Sequence, residues 1–150
     1  MANKIVHAEV VGKNGPALHR FYGQLFGWKQ NTDLPGGYAM TDPADSGIVL
    51  GTGPAHDGGA GWVTFYVTVD DLDATLAKAE SLGGHVAMPK FSPAPDTYLA
   101  MVADPEGHII GLSQGDLRPG HPAGTKWTAM TAIARKCAKR STSRSALLIG

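Results

Sequence analysis

The sequence predicts an α+β fold: two tandem βαβββ modules forming a curved mixed sheet around a cleft, plus a C-terminal extension that is partly helical. Three observations predict it. Residues 5–28 read as strand, short loop and helix. A weaker copy of that pattern begins at Trp62. Behind each copy, an Asp-Pro turn and a glycine-bounded apolar strand follow in the same order.

In the first copy, Ile5 to Val11 alternates, with Val6, Ala8 and Val10 on one face and Ile5, His7, Glu9 and Val11 on the other. A period of two argues a strand. Gly12, Asn14 and Gly15 break it, and Pro16 can open a helix where its missing N–H costs nothing. Leu18, Phe21, Tyr22, Leu25 and Phe26 then recur at helical spacing, and Gly27 is placed for a C-terminal cap. His19 and Arg20 fall between the apolar positions, on what reads as a solvated face. Short extended pieces follow at Tyr38–Met40 and Ile48–Leu50, with turns at 34–37 and 42–47. The glycine-rich run from Gly51 to Gly61 reads as a linker between the modules.

The second copy opens with a strand from Trp62 to Val69, where Trp62, Thr64, Tyr66 and Thr68 share one face. Asp70 and Asp71 suit a helix start, and Leu72, Leu76, Ala79 and Leu82 keep helical spacing up to Gly83 and Gly84. His85–Met88 is extended, the proline-rich stretch 89–96 reads as a loop and candidate lid, and strands at 98–103 and 108–114 flank an Asp104–Gly107 turn. An offset of 57 places His7 on Thr64 and Glu9 on Tyr66. After a loop adjustment, Tyr38 falls on Tyr98 and Gly51 on Gly111. The expected division is one domain over 1–114, with modules at 1–54 and 61–114, and a basic extension over 115–150.

Composition is that of an ordinary globular domain: 150 residues, 43% hydrophobic and 17% charged. A load of 20 glycines and 10 prolines favours strands joined by tight turns over a helical bundle. No window approaches the ~18 apolar residues of a membrane span, and the N-terminus lacks an apolar signal core, so the expected location is cytoplasmic. One cysteine, Cys137, precludes an intramolecular disulfide. Residues 1–114 carry 6 Lys/Arg against 12 Asp/Glu, a net −6, whereas residues 115–150 carry 7 against 1, a net +6. Trp127, Met130, Ala134 and Cys137 are spaced for a basic helix within that tail. It could dock on an acidic body or contact an anionic partner.

His7 with Phe21-Tyr22 and Leu25-Phe26-Gly27-Trp28, the run Val69 to Ala74, and Asp104 to His108 together resemble the vicinal oxygen chelate superfamily, which includes glyoxalases, bleomycin-resistance proteins and extradiol dioxygenases. The resemblance covers residues 4–114 and implies a cleft in which metal-dependent members hold a divalent ion by first- and last-strand residues of each half. His7 stands at the first ligand position. The other three hold Thr64, Gly111, and Gly51 or Leu50, so His7 is the only matching ligand. Glu9, His56 or His108 would have to complete any ion site, and His108 has the wrong strand parity. The expectation is therefore no cofactor, with a divalent metal as the alternative.

The candidate catalytic residues are His7 and Glu9, an imidazole and a carboxylate on one strand face, suited to acid/base chemistry or to a buried polar network. The candidate ligand-binding residues are Trp62, Thr64, Tyr66, Tyr38, Met40, Met88 and Met101, which read equally as an adaptable apolar wall or as core. The leading expectation is a protein that binds a small organic molecule, sequestering it or acting on it by acid/base chemistry without the usual metal. One alternative is a metal-dependent glyoxalase-like lyase or dioxygenase. The other is an interaction module whose basic tail binds a partner or nucleic acid. A homodimer is expected, since members of the superfamily commonly pair modules; nucleic acid is not the expected partner of the body.

Overall fold

The computed structural model describes residues 2–55, 59–94 and 96–115. His56 and the basic helix expected at 125–140 lie outside the described residues, as does the tail from residue 116 onward.

The first half runs β1 (Ile5–Gly12), α1 (Gly15–Phe26), β2 (Gln30–Asn31), a 3-10 turn (Pro35–Gly37), β3 (Ala39–Thr41), α2 (Pro43–Ser46) and β4 (Val49–Pro54). The second runs β5 (Trp62–Thr68), α3 (Leu72–Ser81), β6 (His85–Ala94), β7 (Thr97–Ala103) and β8 (Ile109–Gln114). All eight strands join one curved sheet in the order β2-β3-β4-β1-β5-β8-β7-β6. Within each half the opening strand pairs in parallel with the closing strand, β1 with β4 and β5 with β8, and the remaining pairs are antiparallel. The halves meet through the antiparallel pair β1–β5. This is the expected α+β sheet of two βαβββ halves.

Local signals set the helices. The Asn14 side chain accepts from the Ala17 amide at 3.0 Å, Pro16 lies in the first turn, and Gly27 ends α1 with φ 71°. That left-handed conformation carries no Cβ penalty for glycine. Asp71 caps α3 in the same way, accepting from Ala74 N at 2.9 Å. One face of the sheet carries the cluster Tyr38, Met40, Val49, Tyr66, Met88, Leu99 and Met101. On the other face Val69, Leu72, Ala100 and Leu112 form a smaller cluster with Leu76 of α3.

Four expectations need correction. The glycine-rich run is not a linker from its first residue: Gly51–Pro54 is the end of β4, paired with both β1 and β3. The supposed loop at 89–96 is mostly strand, because β6 continues through Pro89 to Ala94 and is no lid. A proline is admissible there because β6 is the edge strand and its register shifts after Met88. The repeat alignment is off by one around Tyr38: Met40 faces Gly51 as Met101 faces Gly111, which puts Leu99 and not Tyr98 in Tyr38's place. Finally, His19 is not simply solvated, since its Nε2 lies 3.2 Å from the Thr52 carbonyl and ties α1 to β4.

Candidate functional site

Strand parity brings His7 and Glu9 to the same buried face, as the alternation of β1 predicts, and both are almost fully enclosed at 1% and 2% exposure. Opposite them on β5, His7 pairs with Tyr66 and Glu9 with Thr64. Tyr38, just ahead of β3, reaches over β4 and places its hydroxyl between the two candidates. Its O–H donates to Glu9 Oε1 at 2.9 Å. With that hydrogen committed, the Tyr38 oxygen meets His7 Nε2 at 3.1 Å as acceptor, which assigns His7 the Nε2–H tautomer. Trp62 Nε1 donates to Glu9 Oε2 at 2.8 Å, and the Tyr66 hydroxyl makes a longer contact with the same oxygen at 3.5 Å. The Tyr66 ring also stands edge-on to the His7 ring, with centroids 5.6 Å apart.

Burial dominates the electrostatics. It pushes His7 down to about 4, so the imidazole is neutral at neutral pH. Burial also raises the Glu9 carboxyl, against the hydrogen bonds from Trp62, Tyr38 and Tyr66 that favour its charged form. Tyr38 is raised well above its ordinary value by burial and by the neighbouring Glu9 charge, so it serves as an O–H donor and not as a phenolate. A carboxylate in such a place is costly unless its oxygens are matched by donors. Here both oxygens are.

The other candidate residues divide by place. Tyr38, Met40, Tyr66, Met88 and Met101 all belong to one buried cluster. Thr64 is buried, and its hydroxyl donates to the Ile109 carbonyl at 2.9 Å, tying β5 to β8. Trp62 is half-buried and forms the outer end of the Glu9 network. His108 is exposed, its Nδ1 2.9 Å from Asp104 Oδ2 in the turn before β8, so it does not join the cleft. A cavity of about 530 Å³ opens at the β2–β3 edge, lined by Lys29, Asn31, Leu34, Met40 and Asp42 among others. Of these only Met40 stands out in the sequence; Lys29 and Leu34 are unremarkable in composition and spacing, and only the chain's path around β2 collects them.

The donors among the described residues do not fit an ion. Among the described residues no group of three or more His, Cys, Asp or Glu is placed to hold one. A side chain built at Gly51 would overlap the Tyr38 hydroxyl and come within 2.7 Å of His7 Nε2. One at Gly111 would overlap the Tyr66 ring. The two positions where the resemblance places acidic ligands are thus covered by tyrosine.

Residues 10–112 match the family model of a glyoxalase-like domain. Over 118 residues the chain is 32% identical to the proteins named "Putative glyoxylase CFP32" of Mycobacterium bovis and of Mycobacterium tuberculosis. That match spans 69% of this chain and 42% of each relative, so the chain covers less than half of their length. Among solved structures, a glyoxalase/bleomycin resistance protein/dioxygenase superfamily member from Vibrio splendidus 12B01 aligns with a TM-score of 0.55 at 16% identity, over 75% of this chain and 99% of that one. Methylmalonyl-CoA epimerase from Mycobacterium tuberculosis aligns at 0.54 and 15%, over 75% and 87%. The 2,2',3-trihydroxybiphenyl 1,2-dioxygenase from Sphingomonas wittichii RW1 aligns at 0.55 and 19%, over 81% and 44%. At such identities the likeness is one of fold alone.

Proposed function

The chain belongs to the glyoxalase-like domain family, within the vicinal oxygen chelate superfamily, and from that premise we propose that it binds a small organic molecule without a divalent ion. The observation that carries this reading is the position of Met40. It is a wall of the 530 Å³ cavity and a member of the cluster that encloses Tyr38 and Tyr66. A molecule in that cavity would lie against the apolar surface of Leu34 and Met40, with Lys29, Asn31 and Asp42 offering polar contacts. The volume falls in the range of small-molecule sites.

Acid/base chemistry by His7 and Glu9 is the second reading. The hydrogen-bond chain His7–Tyr38–Glu9 favours it, because a proton can be held or passed among these three groups, while the Trp62 N–H only donates to Glu9. In that reading Glu9 is the base, Tyr38 relays and Trp62 stands at the accessible end. The enclosure of His7 and Glu9 favours sequestration over turnover as the primary reading. We further propose a homodimer through α1, where Phe21, Leu25 and Phe26 are 57%, 57% and 52% exposed and continue into Tyr22 and Trp28 by ring contacts.

A library of small organic acids, amides and phenols, screened by thermal shift and ligand-observed NMR, tests the binding reading. Hits should disappear in Met40→Trp, which fills the cavity. Hits that persist unchanged in a folded Met40→Trp would place binding elsewhere. If they vanish instead with Trp62→Phe and not with Met40→Trp, the Glu9 network is the site.

A further inference from the structure

We infer that Tyr38 stands in place of an ion: its hydroxyl joins His7 to Glu9 inside the volume that a side chain at position 51 would enter, and Tyr66 closes the matching position over Gly111.

In the first half the Tyr38 ring lies along β4 above two glycines. A Cβ at Gly51 would overlap its hydroxyl end, and a Cβ at Gly53 would come within 2.7 Å of its Cδ2. In the second half the covering ring is Tyr66, from the strand beside Gly111. The halves therefore differ. Tyr66 is the counterpart of Glu9 by register, since Glu9 pairs with Gly51 as Tyr66 pairs with Gly111. One strand position thus holds the carboxylate in one half and the covering ring in the other.

The two arrangements exclude each other. Any side chain at 51 or 111 must expel a tyrosine that is itself buried, and the expelled hydroxyl would leave Glu9 short of a donor in a place where a charge needs one. A divalent transition ion needs three or four converging ligands. With glycine at 51 and 111 and Thr64 committed to the Ile109 carbonyl, only His7 and Glu9 remain among the described candidates, and both already engage the Tyr38 hydroxyl. Donors from Tyr38 and Trp62 supply to Glu9 the positive end that an ion would otherwise supply. On this account the glycines at 51, 53 and 111 are there to admit rings rather than to bend the chain.

Two measurements test the inference independently of any organic ligand. First, the full chain is equilibrated with Zn²⁺, Ni²⁺, Mn²⁺ and Co²⁺, dialysed, and analysed for bound metal alongside His7→Ala. The inference expects no stoichiometric ion that depends on His7; one ion per chain that is lost in His7→Ala overturns it. Second, Gly51→Ala is made in the native chain and in Tyr38→Ala. The inference expects the substitution to lower the urea midpoint in the native background and to lower it clearly less in Tyr38→Ala, where only the 2.7 Å approach to His7 Nε2 remains. An equal drop in both backgrounds overturns the claim that Tyr38 is what excludes a side chain at 51. Should Tyr38→Ala not fold, the metal measurement on the native chain still decides. Organic-ligand binding at the Met40 cavity is read separately and can survive or fail under either result.

Discussion

The Tyr38 hydroxyl and Glu9 Oε1 are 2.9 Å apart, a buried O–H donor held against a buried carboxylate by a ring that spans two glycines of the neighbouring strand. This contact links the sheet's packing to its electrostatics. Disturbing the ring, the glycines or the carboxylate should therefore register as a change in stability and in its pH dependence.

Glycines that receive rings should tolerate no side chain, while a helical glycine with only marginal contacts should. Gly111→Ala drives a Cβ into the Tyr66 ring, and overpacking of this kind costs about 3 kcal/mol. Gly23→Ala, within α1, would sit 3.3 Å from Gln30 Nε2, which donates to the His19 carbonyl, and 3.4 Å from the Trp28 carbonyl oxygen, so a shift of a few tenths of an ångström suffices; the gain in helix propensity of roughly 0.5–1 kcal/mol works against that cost. Urea unfolding of the two variants checks the contrast, which fails if they shift the midpoint alike.

The pH dependence has two components of opposite sign. His7 has a folded pKa near 4, below its ordinary 6.5. As pH falls from 6.5 toward 4, the unfolded chain gains a proton there that the folded chain refuses. The His7 contribution therefore drops across that window by about 3 kcal/mol and is flat above it. Glu9 is raised above 4.5, so its contribution is fully present below 4.5 and is lost as pH rises through its folded pKa. Chemical denaturation at several pH values should show the slope between 4 and 6.5 flatten in His7→Gln, if that variant folds. An unchanged slope would remove His7 as its source.

Trp62→Phe removes one donor from Glu9 while keeping an aromatic ring. Where Glu9 is ionised the expected loss is about 1.5 kcal/mol, as for a hydrogen bond to a charged group. The loss should shrink as pH falls and Glu9 takes up its proton, because the missing N–H then faces a neutral acid. Denaturation at two pH values reads this directly, and a pH-independent loss would assign Trp62 a packing role only.

For the proposed dimer, Leu25→Glu and Phe26→Glu place a charge on the exposed face of α1. Sedimentation should show a native dimer and a variant monomer, with circular dichroism unchanged. A native chain that sediments as a monomer at tens of micromolar would end the proposal.

Much of this was legible in the residues. The period-two pattern put His7 and Glu9 on one face, and the offset of 57 paired them with Thr64 and Tyr66, as the symmetric strand pairings bear out. The misreadings share a cause. Gly51–Pro54 looked like a linker because glycine signals freedom in sequence, yet here it signals close approach of a ring from another strand. Pro89 looked like a loop because proline breaks central strands, and β6 proved to be an edge.

By itself, then, the sequence determined the α+β class, the duplicated order of elements and the face on which each candidate residue stands, because these depend on near-neighbour periodicity and on caps such as Asn14 and Asp71. Tertiary structure alone decided what fills the cleft. Tyr38 is 29 residues from Glu9 and Trp62 is 53; no local pattern encodes that both reach one carboxylate. Register and curvature bring them there, and in doing so they set the Tyr38 hydroxyl between His7 and Glu9.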